Sequence, residues 1–94
     1  MRRTYIVIHV DNGSSVKAWL PDFPGVTLPG DRLSDTITLM PLLLERHVKE
    51  MSGRGERLPE PTTPDLWAIY AEHPEALIGF VEVEIGKDCD IKED

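Results

Sequence analysis

A chain of 94 residues is long enough to form one domain around a single small core and too short for two domains. Its formal charge of −7, from 17 Asp and Glu against 10 Lys and Arg, opposes binding to a phosphate backbone, because the basic residues are scattered along the chain. The acidity instead favours a basic partner, although an acidic surface also serves solubility.

Cysteine content and hydropathy exclude further classes of protein. Cys89 is the single cysteine, so the chain has no disulfide framework and no CxxC metal or redox motif. The N-terminal apolar run in MRRTYIVIHVDNG is short and ends at Asp11, which is not the pattern of a signal peptide or a membrane span. We therefore expect a cytoplasmic protein without a membrane-bound segment.

The first two predicted elements are strands over residues 4–10 and 15–20, both rich in β-branched or alternating residues. A three-residue loop, Asp11-Asn12-Gly13, would connect them and would pair residues whose numbers sum to 24, with Ile8 opposite Val16. A two-residue Asn-Gly turn would instead set Ile8 opposite Lys17 and mismatch the faces. The preferred register predicts an aliphatic face (Ile6, Ile8, Val16, Ala18, Leu20) and a mixed face (Tyr5, Val7, His9, Lys17, Trp19).

The stretch PDFPGVTLPGD, residues 21–31, bends the chain before a long helix, because prolines fix φ and glycines permit unusual conformations. Residues 26–28 can form a short third strand. Apolar residues then recur at helical spacing, and Asp31 or Ser34 can cap the helix start, while Gly53 suits its end. Pro41 should cause a kink or a fresh start. The predicted apolar stripe is Leu33, Ile37, Met40, Leu44, Val48 and Met51.

The second half of the chain predicts a loop, a short helix and a last strand. Prolines favour an extended path through residues 53–64, and Thr63 followed by Pro64 is typical of a helix start. The short helix carries Leu66, Trp67, Ile69 and Tyr70 and stops before Pro74. Residues 76–85 alternate as a strand, and residues 87–94 form a charged tail. The order β-β-β-α-α-β predicts an α+β domain over residues 1–86, with helices packed on a small antiparallel or mixed sheet.

Several motifs together resemble the HicB-like antitoxin family. PDFPGV resembles the family's PDLPGC-type signature, Gly30-Asp31 followed by Leu33 resembles the entry to its long helix, and RLPEPT resembles its IPEPS-type loop. The FVEVEI strand fits as well. The residues that carry this resemblance as structural motifs are Pro21, Asp22, Phe23, Pro24, Gly25, Gly30, Asp31, Pro59 and Pro61.

The resemblance implies a partial RNase H-like fold without nuclease activity, which neutralises a small, basic, mRNA-cleaving toxin of the HicA type. Separately from the resemblance, we expect a homodimer or a higher homo-oligomer. Many family members continue into a DNA-binding domain for which this chain has no segment, so we expect no direct nucleic-acid binding by this chain alone. Val26, Arg32 and Pro41 depart from the family's usual residues. The alternative is a stand-alone interaction module of the same fold that has no toxin partner.

The sequence predicts no catalytic or metal site and no cofactor. A two-metal nuclease of the RNase H type needs a carboxylate inside its first strand, and TYIVIHV has none. Asp22, Glu45, Glu82 and Glu84 are scattered acids, which is typical of a solvated surface. His9, His47 and His73 lie on three different elements without the spacing of zinc ligands.

Part of the mixed sheet face, or its exposed edge strand, is the predicted surface for the homodimer or toxin contact. By strand alternation, the aromatic residues Tyr5, Trp19 and Phe80 share it with Lys17, Glu82 and Glu84. Aromatic residues within a charged rim are the composition of an interface core. The alternative is that the short helix, with Trp67 and Tyr70, folds over this face and buries it.

Overall fold

The computed structural model describes residues 2–84. Its elements are β1 (Arg2–Asp11), β2 (Val16–Trp19), β3 (Thr27–Gly30), α1 (Leu33–Gly53), α2 (Leu66–Glu72) and β4 (Leu77–Glu84). The strands form one antiparallel sheet in the order β3-β2-β1-β4. The α+β class and the predicted order of elements are therefore confirmed. The predicted last residue of the final strand, Ile85, the charged tail and Cys89 lie outside the described residues.

The register between β1 and β2 differs from the predicted one. Ile8 is opposite Trp19, and His9 is opposite Ala18, so the paired residue numbers sum to 27 rather than 24. The loop has four residues, 12–15, because the Asn12 side-chain oxygen accepts hydrogen bonds from the Ser14 and Ser15 backbone amides at 3.1 and 3.0 Å. Asparagine side chains stabilise turns in this way.

This register exchanges the predicted faces of β2. The face that carries Tyr5, Val7 and His9 also carries Val16, Ala18 and Leu20. Because the paired residue numbers have an odd sum, odd-numbered residues of β1 lie on the same side of the sheet as even-numbered residues of β2. The prediction assumed that β1 has one apolar face. In fact β1 is an inner strand, and its residues are apolar on both faces, so its own pattern could not select the partner face.

Helix α1 packs on the face that carries Tyr5 and Val7. Its fully or nearly fully buried residues are Thr36, Met40, Leu44 and Val48, so the buried stripe begins at Thr36, whereas Ile37 is 47 % exposed. The core that they form with the sheet includes Tyr5, Val7, Ala18, Leu20, Phe23, Val26, Val81 and Val83.

Helix α1 runs unbroken through Pro41, so of the two expected effects, a kink or a fresh start, the fresh start does not occur. Pro41 lies on the exposed side, where water can replace the donor that proline lacks.

The helix caps also differ from those predicted. Arg32 is the N-cap of α1, and the Asp35 carboxylate accepts the Arg32 backbone N–H at 3.2 Å, so neither Asp31 nor Ser34 caps the helix. In α2 the N-cap is Asp65, whose side chain accepts the Ala68 N–H at 3.2 Å, instead of Thr63. In each helix a carboxylate near the N-terminus, Asp35 in α1 and Asp65 in α2, accepts a hydrogen bond from a backbone N–H that has no partner within the helix.

Candidate functional site

The sheet has one face that α1 does not cover. We call this the open face, and its residues are Ile6, Ile8, Lys17, Trp19, Ile78, Phe80, Glu82 and Glu84. None of these residues belongs to the core cluster under α1. Phe80 is 70 % exposed on this face, so its ring offers apolar surface to a partner.

Five of the six residues predicted to bind a partner lie on the open face. Tyr5 does not, because the observed register turns it to the helix side, where it is completely buried. Its ring meets Phe23 edge to face at 4.7 Å between centroids. Its hydroxyl donates to the Pro59 carbonyl oxygen at 2.6 Å, and burial raises the pKa of this phenol. Tyr5 therefore holds the core together and cannot contact a partner in this fold.

The short helix does not bury the open face as the alternative required. Trp67 is 86 % exposed, and Tyr70 is also exposed. The C-terminal end of α2 reaches Trp19, where the His73 ring packs edge to face at 5.7 Å, and Ile8, which is opposite Trp19, is completely buried. Phe80 thus keeps its exposure although α2 is present.

One end of the open face combines an indole with a cation. The Lys17 ammonium is 5.7 Å from the centre of the Trp19 ring, within the range of a cation–π contact. Beside them is a cavity of about 500 Å³, which Leu20, Val26 and Glu75 help to line. An indole that is only half-buried beside an open cavity can accept a partner's side chain.

The other end of the open face is acidic. Glu82 and Glu84 both pair with Arg2, at 3.2 and 2.9 Å, and all three side chains are more than half exposed. The hydrogen bond from Arg2 lowers the pKa of Glu84, so this carboxylate is ionised at neutral pH. The surface offers ionised carboxylates to a basic partner at this end.

The two proline-containing signature segments contact each other. Pro24 and Gly25 are the central residues of a turn closed by the Val26 N–H and the Phe23 carbonyl oxygen at 3.0 Å, and Gly25 has the positive φ of +99° that a type II turn requires. The Asp22 carboxylate, next to this turn, accepts the Thr62 backbone N–H at 3.1 Å and also the Thr62 hydroxyl.

Further contacts hold the loop of residues 57–62 against β1. Arg3 donates to the Leu58 and Pro59 carbonyl oxygens at 3.5 and 3.3 Å, and it pairs with Glu60 at 3.5 Å. Together with the Tyr5 hydroxyl, these bonds fasten the segment that contains Pro59 and Pro61. The loop of residues 57–62 and the Pro-Gly corner are therefore held together, and the Asp22 carboxylate accepts the hydrogen bonds that join them.

The sequence did not indicate the structural roles of Arg3, Thr36 and Thr62, although Thr62 is the last residue of the RLPEPT motif. Each acts through a partner far along the chain: the Thr62–Asp22 bond spans 40 residues, and the Thr36–His9 bond spans 27. No local pattern marks such a residue, because its role depends on tertiary contact. The TP and PT dipeptides around Thr62 indicate only a loop.

The three histidines considered for chemistry lie apart. His9 is buried against Thr36, His47 packs against Phe23 at 5.8 Å, and His73 packs against Trp19. Within residues 2–84, no three side chains of the His, Cys, Asp or Glu types come together as they would around a metal ion. Neither helix of this part of the chain is long and apolar enough to cross a bilayer.

Neither a protein-family model nor a curated protein matches the sequence. Solved structures do match. The N-terminal domain of the Burkholderia pseudomallei antitoxin HicB is 27 % identical, with a TM-score of 0.67 over 90 % of this chain and 100 % of that chain. A longer structure of the same antitoxin is 23 % identical, with a TM-score of 0.75 over 90 % of this chain and 64 % of that chain.

Two complexes match as well. A chain of a toxin–antitoxin complex from Streptococcus pneumoniae is 17 % identical, with a TM-score of 0.70 over 89 % of this chain and 70 % of that chain. A chain of a HicA–HicB toxin–antitoxin complex is 20 % identical, with a TM-score of 0.66 over 87 % of this chain and 99 % of that chain. The chain has the fold of HicB antitoxins and fits a HicB-like antitoxin domain.

Proposed function

We propose that this chain is a HicB-like antitoxin that binds a small, basic, RNA-cleaving toxin of the HicA type through its open face. It acts by covering the toxin's active site and catalyses no reaction itself. It works in the cytoplasm as a homo-oligomer, without a cofactor and without direct contact to nucleic acid. The observation that carries this proposal is the open face, an aromatic and acidic sheet surface on which Phe80 and Glu82 are exposed and Trp19 is half-buried.

The aromatic residues of the open face can supply most of the binding energy. Truncating a central Trp or Tyr anchor in an interface typically costs 2 kcal/mol or more, roughly thirtyfold in affinity. Trp19 has such a position, because its indole is half-buried beside a cavity and is flanked by Lys17 and His73. Phe80 adds an exposed apolar surface on the same face.

The charges of the open face favour a basic partner. The chain carries −7 overall, so a cationic toxin is attracted before contact is made. Arg2 now pairs with the Glu82 and Glu84 carboxylates, but these ion pairs are exposed to water and contribute little stability. A lysine or arginine of the partner can therefore replace Arg2 at little cost.

Co-expression tests the proposal with a matched pair of tryptophan variants. The chain is produced together with the basic HicA-type protein encoded beside it, and growth and co-purification are measured. We expect the wild type and Trp67→Ala to relieve growth arrest and to retain the toxin. Trp19→Ala should lose the toxin while its circular dichroism spectrum stays native. Relief of arrest without a complex, or equal loss in both variants, would contradict binding through the open face.

The acidic end is tested with a charge-matched pair of double variants. Glu82→Lys with Glu84→Lys should weaken toxin binding at least tenfold, whereas Glu45→Lys with Glu72→Lys, exposed acids on the two helices, should change it little. Both pairs alter the net charge equally, so long-range attraction is matched. Equal weakening in both would show that total charge, and no particular contact, controls binding.

The alternative function is a stand-alone interaction module without a toxin. The observation in its favour is the exposed edge of β4, which suits association between copies of the chain. If no neighbouring basic protein is toxic or binds, while the chain still self-associates, the alternative replaces the antitoxin role.

A further inference from the structure

The cavity of about 500 Å³ beside Trp19 is lined by two turns as well as by the sheet. One is the Pro24-Gly25 corner, whose closing hydrogen bond is described above. The other comprises residues 73–76, and it is closed by the Ala76 N–H and the first carbonyl oxygen of the turn at 2.9 Å, with Pro74 in its second position. Proline in that position fixes the backbone of a turn. The cavity is therefore held in shape without a partner.

The lining of this cavity combines apolar surface with a carboxylate that has no cation of its own. Val10, Trp19 and Leu20 contribute apolar surface, and Glu75 contributes the carboxylate. Glu75 is exposed, and within residues 2–84 no lysine, arginine or histidine forms an ion pair with it. Apolar pockets with a few fixed polar groups are typical of binding sites. The carboxylate makes a cationic occupant more favourable than an anionic one.

The aromatic part of the lining already has a cation next to it. Lys17 and Trp19 are two residues apart on β2, so they lie on the same face, and the ammonium is 5.7 Å from the centre of the indole ring. Lys17 is exposed on a long, flexible side chain, so it can leave the ring when another cation arrives. Lys17 thus acts as a competitor within the chain for the position that a partner's cation would take.

We propose that this cavity binds an arginine side chain, and that in the complex the arginine belongs to the toxin. The guanidinium stacks on the Trp19 indole, displaces Lys17 and donates hydrogen bonds to the Glu75 carboxylate. Arginine suits the cavity better than lysine, because its guanidinium is planar, is less strongly hydrated and donates two parallel bonds to a carboxylate. The net charge of −7 adds long-range attraction. The source of the arginine rests on the proposed function, whereas the preference of the cavity does not.

NMR titration with the amide of N-acetylarginine tests the cavity without a toxin. Trp67 is the only other tryptophan and is not part of the cavity lining, so its indole N–H signal is an internal control. We expect the Trp19 indole signal to shift with a dissociation constant on the order of 1 mM, and the Trp67 signal to stay. The uncharged citrulline derivative should bind much more weakly. No shift at tens of millimolar, equal shifts of both signals, or equal binding of the citrulline derivative overturns the proposal.

Two charge variants determine the sign of the charge that the cavity prefers. Glu75→Gln removes the acceptor and should weaken binding of the arginine probe about two- to fivefold, whereas Lys17→Gln removes the competitor and should strengthen it about twofold. Glu45→Gln and Lys49→Gln, at exposed sites on α1, change the net charge equally and should leave the affinity unchanged. If each variant acts as its control does, net charge alone matters, and if the two signs are reversed, the cavity prefers an anion. Either result overturns the proposal.

Toxin binding by the same variants separates this inference from the proposed function. Glu75→Gln should weaken the toxin complex about as much as it weakens binding of the probe, and Lys17→Gln should not weaken it. If the toxin binds the wild type and both variants equally well, an arginine of the toxin does not occupy the cavity, although the antitoxin role stands. If the probe binds as expected and no toxin does, the guanidinium site is confirmed and the proposed function fails.

Discussion

The bond between Asp22 and Thr62 should be worth a measurable part of the stability of this small domain. Asp22→Ala removes an acceptor of two hydrogen bonds, one from the Thr62 backbone N–H and one from its hydroxyl. A hydrogen bond to a charged group contributes about 1.5–3 kcal/mol when shielded, but Thr62 is exposed and Asp22 is half-buried, so water competes. We expect a loss of about 1–2 kcal/mol in the free energy of unfolding. At this chain length, that corresponds to a fall in Tm of roughly 4–15 °C.

Urea denaturation followed by circular dichroism measures this loss. Asp31→Ala is the matched control, because it removes the same charge from an exposed side chain that makes no hydrogen bond or ion pair in the structure. Thr62→Val removes the hydroxyl but keeps the shape of the side chain. The double-mutant cycle of Asp22→Ala with Thr62→Val should show a coupling of about 0.5–1 kcal/mol.

Two outcomes would refute this reasoning. If Asp22→Ala and Asp31→Ala have the same effect, the corner and the loop are not fastened by this carboxylate. If the effects of Asp22→Ala and Thr62→Val are additive, the two side chains do not interact in solution.

Two more predictions concern the core. Burial lowers the pKa of His9 in the folded chain, so the unfolded chain takes up a proton on this residue more readily. The contribution of neutral His9 to the free energy of unfolding is therefore complete above about pH 6.5, and it is lost as the pH drops toward the folded-state pKa. Urea midpoints at pH 7.5 and 5.5 should therefore differ more for the wild type than for His9→Gln, and equal differences would contradict this. Leu44→Ala should cost about 2–5 kcal/mol because Leu44 is completely buried. Leu42→Ala, at a 60 % exposed site on the same helix, should stay within about 0.5 kcal/mol, and similar losses in both would refute the assigned helix face.

The structure also indicates which form of His9 is stable in the core. The Thr36 hydroxyl lies 3.0 Å from the Leu33 carbonyl oxygen and 2.9 Å from Nδ1 of His9. A neutral His9 with its proton on Nδ1 satisfies both contacts, because Thr36 then donates to Leu33 and accepts from His9. This pair fixes β1 to the start of α1 and explains why the buried stripe of the helix begins at a threonine.

Much of the architecture followed from local patterns. The alternation of Val81 and Val83 against Phe80 and Glu82 placed β4 correctly on its two faces. The Pro-Gly corner after β2 and the long apolar stripe of α1 were also visible, because turn residues and helical spacing act over a few residues. The motifs PDFPGV and RLPEPT, taken together, indicated the fold more specifically than any single pattern of residue spacing did.

The candidate site was harder to predict, because it depends on how two strands align. Trp19 and Phe80 were placed together on one face, and they do share the open face. Tyr5 was placed with them and is instead buried on the helix side. The error arose at the loop, where the Asn12 side chain stabilises four residues rather than three. The sum of the paired residue numbers is 27 instead of the predicted 24. Because this difference is odd, every side chain of β2 lies on the opposite face, relative to β1, from the one predicted.

The sequence by itself determined the number, type and order of the elements, the acidic charge, and the segments that turn the chain. These properties depend on composition and on short periodicities, which act within a few residues. Only the tertiary structure decided which face of β1 receives α1, because β1 is apolar on both faces. It alone brought Asp22 to Thr62, across 40 residues, and placed β4 at the edge of the sheet that residues 2–84 form. Such contacts depend on the packing of the whole chain, and no local sequence pattern records them.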